Sequence, residues 1–249
     1  GINAVLLKGG TISGKLKDPN GIVIPEWYGH ARVYDLNGNS ISLRDDTDEN
    51  GDYSIERLPI GNFKINFYSI SHYATEWYND KACFADADIL NILEEGQAIT
   101  GIDAQFSEGG YITGRVKDSS GTGIENVNIC VYDVSQIPIT ISTRTDTDGN
   151  FSVPRMPTFT SKVFFDASST DYVSEWYDDK GSFDDADLVP TTAGETTPSI
   201  DAVLAVKVSE KDDFLGTWLG QGVYYRNSDT SQWVKLGSPA DKITTGDLD

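Results

Sequence analysis

Short runs in which apolar residues alternate with polar ones recur along the chain, at residues 11–17, 30–35, 53–57 and 62–67. In residues 53–57, for example, Tyr53 and Ile55 alternate with Ser54 and Glu56. A two-residue period puts every second side chain on one face of a strand, so each run predicts a strand with one buried face. Clusters of Gly, Asn, Asp and Pro separate the runs, which is the rhythm of short strands and tight turns in a β-sandwich. Asp18-Pro19-Asn20-Gly21 and Asp118-Ser119-Ser120-Gly121 supply residues that tolerate turn and left-handed geometry, and they are read first as turns.

The same pattern occurs twice. Gly9-Gly10-Thr11-Ile12-Ser13-Gly14-Lys15-Leu16-Lys17-Asp18 matches the ten residues from Gly109 to Asp118, and Thr47-Asp48-Glu49-Asn50-Gly51-Asp52-Tyr53-Ser54 matches the eight from Thr145 to Ser152. Glu76-Trp77-Tyr78-Asn79-Asp80-Lys81 matches Glu175-Trp176-Tyr177-Asp178-Asp179-Lys180, and Gly101-Ile102-Asp103-Ala104 matches Ser199-Ile200-Asp201-Ala202. Four blocks in register define an internal repeat of about one hundred residues, enough chain for a separate core in each copy. The sequence therefore predicts an all-β protein: two tandem prealbumin-like β-sandwiches at 9–107 and 108–206, plus a short C-terminal β segment at 207–249. Residues 1–8 repeat the closing strand motif and are read as the last strand of a preceding repeat.

Composition narrows the function. A net charge of −20 argues against nucleic acid and against an anionic membrane as partner, since both are bound through clustered Lys and Arg. No apolar run is long enough to insert in a membrane. The acidic excess fits either plain solubility or bound divalent cations, with calcium the candidate cofactor. Cys83 and Cys130 occupy non-equivalent positions in the two copies, so a disulfide framework is not expected. His30 and His72 are the only histidines, neither recurs in the second copy, and no nucleophile–base or multi-histidine arrangement can be assembled from them. The chain reads as a protein that is not an enzyme.

Taken together, G-x-I-x-G-x-[LV]-x-D-x-x-G, T-D-x-[DN]-G-x-[YF]-S and the closing I-D-A strand resemble the carboxypeptidase regulatory-like domains, which are prealbumin-like (transthyretin-like) sandwiches. The resemblance covers about residues 9–206 in two copies, and it implies non-catalytic modules strung along secreted or cell-surface proteins. The related collagen-adhesin B-type domains join a Lys to an Asn through a bond assisted by a buried acid. Lys17 and Lys117 stand near the right strand, but Phe67 and Phe165 occupy the position of that acid, so no cross-link is expected. Residues 207–249 resemble one blade of an FG-GAP or VCBS-type propeller, and Gly246-Asp247-Leu248-Asp249 resembles the start of the calcium loop of such a blade.

Three groups of side chains are candidates for sites. Asp46, Asp48 and Asn50 have the oxygen spacing that opens a calcium loop, with Asp146 and Asp148 in the shorter second copy; the alternative is a tight hairpin turn. Asp80, Asp86 and Asp88 recur as Asp179, Asp185 and Asp187, either as calcium ligands or around a single helical turn started by Cys83 or Ser182. Trp77, Tyr78, Trp176 and Tyr177 could offer aromatic faces to a sugar or a protein, or fill the edge of each sandwich. The leading reading is a structural and interaction module that spaces or displays other domains of the parent chain, with protein or glycan at the cell surface as further partners and calcium stiffening its loops. A carbohydrate-binding module attached to a secreted hydrolase is the alternative.

Overall fold

The computed structural model describes residues 8–139 and 142–207 in full, and the backbone of two strands at 223–226 and 233–237. Among the described residues there is no helix, and all regular structure is β, arranged as sandwiches.

The first sandwich runs β1 (Gly10–Lys17), β2 (Gly29–Tyr34), β3 (Ser40–Asp46), β4 (Asp52–Leu58), β5 (Gly61–Ser69), β6 (Glu76–Trp77), β7 (Leu90–Ile92), β8 (Ala98–Ile99) and β9 (Ala104–Gln105). One sheet has the order β4-β1-β8, with β9 also on β1; the other has β3-β2-β5-β6, with β7 also on β5. The alternation seen in the sequence is the burial pattern. Ile12 and Leu16 of β1 and Tyr53, Ile55 and Leu58 of β4 face Ala31 and Val33 of β2 and Ile65 and Phe67 of β5 in one core. The second sandwich repeats this plan with β10 (Gly110–Lys117), β11 (Asn128–Tyr132), β12 (Thr143–Arg144), β13 (Asn150–Met156), β14 (Phe159–Asp166), β15 (Glu175–Trp176), β16 (Val189–Thr191), β17 (Thr196–Thr197) and β18 (Ala202–Val203) around a core of its own. Phe67 and Phe165 are fully buried at corresponding places in the two cores.

Three repeated devices set the geometry. A Cβ on Gly14 or Gly114 would lie 2.1 Å from the carbonyl oxygen of Ile102 or Ile200, so only glycine lets the closing segment lie against the first strand. There the Asp103 carboxylate accepts the Lys15 amide and the Asp201 carboxylate accepts that of Arg115. A bulge in β4 pairs Gly10 with Leu58 but Ile12 with Ile55, placing Arg57 at φ 63°, and β13 does the same with Arg155 at φ 66°. The turns are closed by Asp carboxylates that accept amides two and four residues on: Asp18, Asp35, Asp48, Asp118, Asp133 and Asp146 all do so.

Past the second sandwich, β19 (Val223–Arg226) and β20 (Trp233–Gly237) form an antiparallel pair. The rest of 207–249 beyond Lys207, on which the propeller-blade reading and its calcium loop fall, lies outside the described residues, as do residues 1–7.

Candidate functional site

The predicted site residues go to separate tasks. Asp46 lies 2.6 Å from Nδ1 of His30, whereas Asp48 turns inward to accept the amides of Asn50 and Asp52. Those amide bonds hold the Asp48 carboxyl below its ordinary range, and the same cause lowers Asp146 in the second copy. The carbonyls of Asn50 and Asp148 accept Lys15 and Arg115. Asp80 and Asp179 sit at positive φ in tight turns closed by Trp77–Lys81 and Trp176–Lys180 backbone pairs. Asp86 accepts the Cys83 thiol and Asp185 accepts the Ser182 hydroxyl, within a non-helical turn where a helical one was expected. Asp88 accepts the Asn79 amide and Asp187 lies 3.7 Å from Lys180. Among the described residues, no three Asp, Glu, His or Cys side chains converge on a point that could hold a metal ion.

The aromatic triplets pack on protein to different degrees. Trp77 is 5% exposed, with the Tyr34 and Phe84 ring centroids 4.9 and 5.2 Å from its own. Trp176 is half-buried, with the rings of Tyr132, Phe164 and Phe183 at 5.4, 4.7 and 5.2 Å from its own. Tyr78 and Tyr177 pack on the two cores. Trp77 is thus covered by protein neighbours, whereas Tyr78, Trp176 and Tyr177 are only partly buried against theirs.

What the triplet builds is a joint. The turn that follows β11 carries Asp133, which is 1% exposed; its Oδ1 accepts the amides of Ser135 and Ile137, and its Oδ2 accepts the Phe84 amide of the first sandwich at 2.9 Å. Ile137 from the same turn packs into the cluster of Trp77, Phe84, Ala87 and Tyr34. It enters over Gly38, at φ +81°, where a Cβ would come within 2.2 Å of the Ile137 methyl. Thr75 bridges as well, its amide donating to the Arg155 carbonyl at 3.2 Å and its hydroxyl to the Ile139 carbonyl at 3.1 Å. The β13 bulge at Arg155 aims that carbonyl across the boundary. The connection is fixed too, since Ala74 donates to Ser107 and Gly109 donates to His72.

Two features at this place are not readable as functional from one copy. Lys64 and Lys162 are buried, and each reaches over to the loop after the triplet: Lys64 Nζ donates to the Phe84 carbonyl at 2.6 Å and lies 4.3 Å from the centre of the Phe84 ring, and Lys162 repeats this on Phe183 at 2.6 and 4.4 Å. The signal was their recurrence in strands that otherwise alternate. Glu76 and Glu175 are pushed up to about 8, first by burial and then by the neighbouring Asp80 and Asp179.

A third feature lies elsewhere, at an open groove of about 830 Å³ lined by residues that include Lys15, Glu26, Trp27, Asp46, Asp52 and Asp103. Trp27 is 64% exposed and sits at φ 68°, where the second copy has Asn126 at φ 64°.

Residues 111–204 match the carboxypeptidase regulatory-like domain family. No curated protein matches the sequence. Among solved structures, the chain is similar to the TIE protein of Bacillus anthracis, at 14% identity and a TM-score of 0.33 over 79% of this chain and 34% of that one. It is similar to a streptococcal ancillary pilin at 15% identity and a TM-score of 0.34, over 81% of this chain and 63% of that one. The minor pilin GBS52 of Streptococcus agalactiae follows at 9% identity and a TM-score of 0.31, over 81% and 98%. The chain thus spans about a third of the first of these proteins and less than two thirds of the second. No helix among the described residues is long and apolar enough to cross a membrane.

Proposed function

We propose that this chain is a non-catalytic structural module of a secreted or cell-surface protein, in which two β-sandwiches locked at their joint space or display other domains of the parent chain. The observation that carries the reading is the Asp133–Phe84 interlock. A buried carboxylate that accepts three amides, one of them from the neighbouring sandwich, ties the orientation of one unit to the other through charge-assisted hydrogen bonds. Inter-domain motion is the default for linked domains. Here Ile137 and Thr75 add apolar and backbone contacts to resist it. The repeat, the carboxypeptidase regulatory-like match and the pairing of His30 with Asp46 all fit a module whose work is mechanical.

The test is orientation. Residual dipolar couplings and small-angle scattering on the full chain should fit one fixed arrangement of the two sandwiches, and Asp133→Ala should free them without unfolding either core. Equal freedom in both proteins would remove the spacer reading.

A further inference from the structure

The groove beside Trp27 runs along the side of the first sandwich where β3 and β4, the edge strands of its two sheets, meet. Trp27 stands there largely exposed, in a loop two residues longer than its counterpart. Ile24 and Gly29 make the amide bonds that Ile124 and Val127 make in the second copy. Between the first pair lie Pro25-Glu26-Trp27-Tyr28, and between the second only Glu125-Asn126. Closing the loop does not require the indole, because Asn126 donates its amide to the Thr145 carbonyl as Trp27 donates to Thr47.

The charges along the groove set the two copies apart as well. Asp45 and Asp46 pair with Ala31 and His30 on β2, where Thr143 and Arg144 pair with Ile129 and Asn128 on β11. Asp52 lies opposite Lys15, where Asn150 lies opposite Arg115. The first copy thus holds three carboxylates where the second holds a threonine, an arginine and an asparagine. With Glu26, Asp48 and Asp103, six carboxylates line the groove against Lys15 and Lys17. The three added ones are held apart by separate partners: Asp45 accepts the Ser54 amide, Asp46 has His30 and Asp52 pairs with Lys15 at 2.8 Å. Negative charges so separated, beside an exposed indole, match several cations carried on one chain rather than one ion.

We propose that this groove binds a basic segment of a partner protein, with an Arg or Lys side chain laid on the Trp27 indole and neighbouring cations meeting Asp46 and Asp52. A planar guanidinium suits both parts of the site, since it stacks on an aromatic face and donates to carboxylates. A neutral sugar would use the indole but carries no charge to match the added carboxylates. Charges elsewhere on this acidic chain attract any cation, but they are screened within about 8 Å at physiological salt, so the groove itself sets where the segment lies. The proposal gives the module something to hold, and it does not depend on the two sandwiches being locked together.

Titration of the full chain with a blocked peptide of alternating Arg and Ser, followed by nuclear magnetic resonance, tests it. The Trp27 indole N–H and the Asp46 and Asp52 amides are expected to shift together, and less at high salt. Trp27→Asn and Asp46→Arg install the residues that the second copy carries, so both should fold. Read from the Asp52 amide, each should raise the dissociation constant about fivefold or more. Absence of these shifts overturns the proposal, and so does an affinity that both variants leave unchanged. Shifts spread evenly over the acidic surface of both sandwiches would show attraction to net charge alone and overturn it too. A peptide with Gln in place of Arg should not bind; if it binds as well, or if a neutral oligosaccharide moves the same resonances while the Arg peptide does not, the groove does not recognise a basic segment.

Discussion

At the scale of single residues, the repeat acts as an internal control, because one copy shows what the fold requires and the other what this chain adds. Trp27 is such an addition. Left-handed backbone costs an L-residue with a bulky side chain about 1 kcal/mol more than it costs Asn, whose short polar side chain tolerates it. The bond from the Trp27 amide to the Thr47 carbonyl, at 2.9 Å, does not depend on the side chain. Trp27→Asn is therefore expected to raise stability by about 1 kcal/mol in urea denaturation. Glu76 gives a pH dependence with a definite sign. It lies opposite Phe67 in the β5–β6 pairing and is 9% exposed, and its carboxyl rises from an ordinary 4.5 to about 8. Between those values the folded chain holds a proton that the unfolded chain has lost, so stability falls as pH rises through this window. The melting temperature should drop from pH 5 to pH 9, and Glu76→Gln should remove much of the drop, a difference on the order of 2–4 kcal/mol. Glu175 shifts in the same direction but is only half-buried, and its share is smaller.

At the scale of elements, the strands of the sandwiches were legible because burial repeats every second residue, and Ile12, Leu16, Tyr53 and Ile55 all face inward as their spacing requires. The Asp-led turns were legible for a similar local reason. The separate places of the acidic residues and the burial of Trp77 were not legible, because a sequence gives spacing along the chain, while side-chain convergence and ring exposure depend on what packs across from another element. Trp77 looks like a surface residue until the Asp133 turn, more than fifty positions on, is laid beside it. Lys64 was passed over for the opposite reason: a lysine within a strand reads as solvent-facing unless a loop supplies carbonyls for it. It ties the loop after the triplet to β5, so Lys64→Met should leave the Phe84 and Ala85 carbonyls without their donor and cost about 1–3 kcal/mol in denaturant unfolding. Lys162→Met should act alike in the second sandwich.

At the scale of the whole molecule, a net charge of −20 sets like-charged modules against one another, and exposed repulsion of this kind is screened within about 8 Å at physiological salt. A joint between such modules gains little from surface ion pairs. This one is made instead from the buried Asp133, the Ile137 methyls and backbone bonds through Thr75, Arg155 and Gly109. Those contacts couple the two folding equilibria, and the coupling is reciprocal: unfolding the second sandwich uncovers Trp77 and Phe84, and unfolding the first strips Asp133 of its third amide. Calorimetry can read the coupling directly, because two coupled units melt as one transition whose van't Hoff enthalpy equals the calorimetric enthalpy, whereas two independent units of similar stability give a calorimetric enthalpy about twice the van't Hoff value. The unaltered chain is expected to give a ratio near one. Ile137→Ser, which removes the methyl contacts without touching either core, should move it toward two. A ratio near two in the unaltered chain would mean that the interlock is too weak to hold one module to the next.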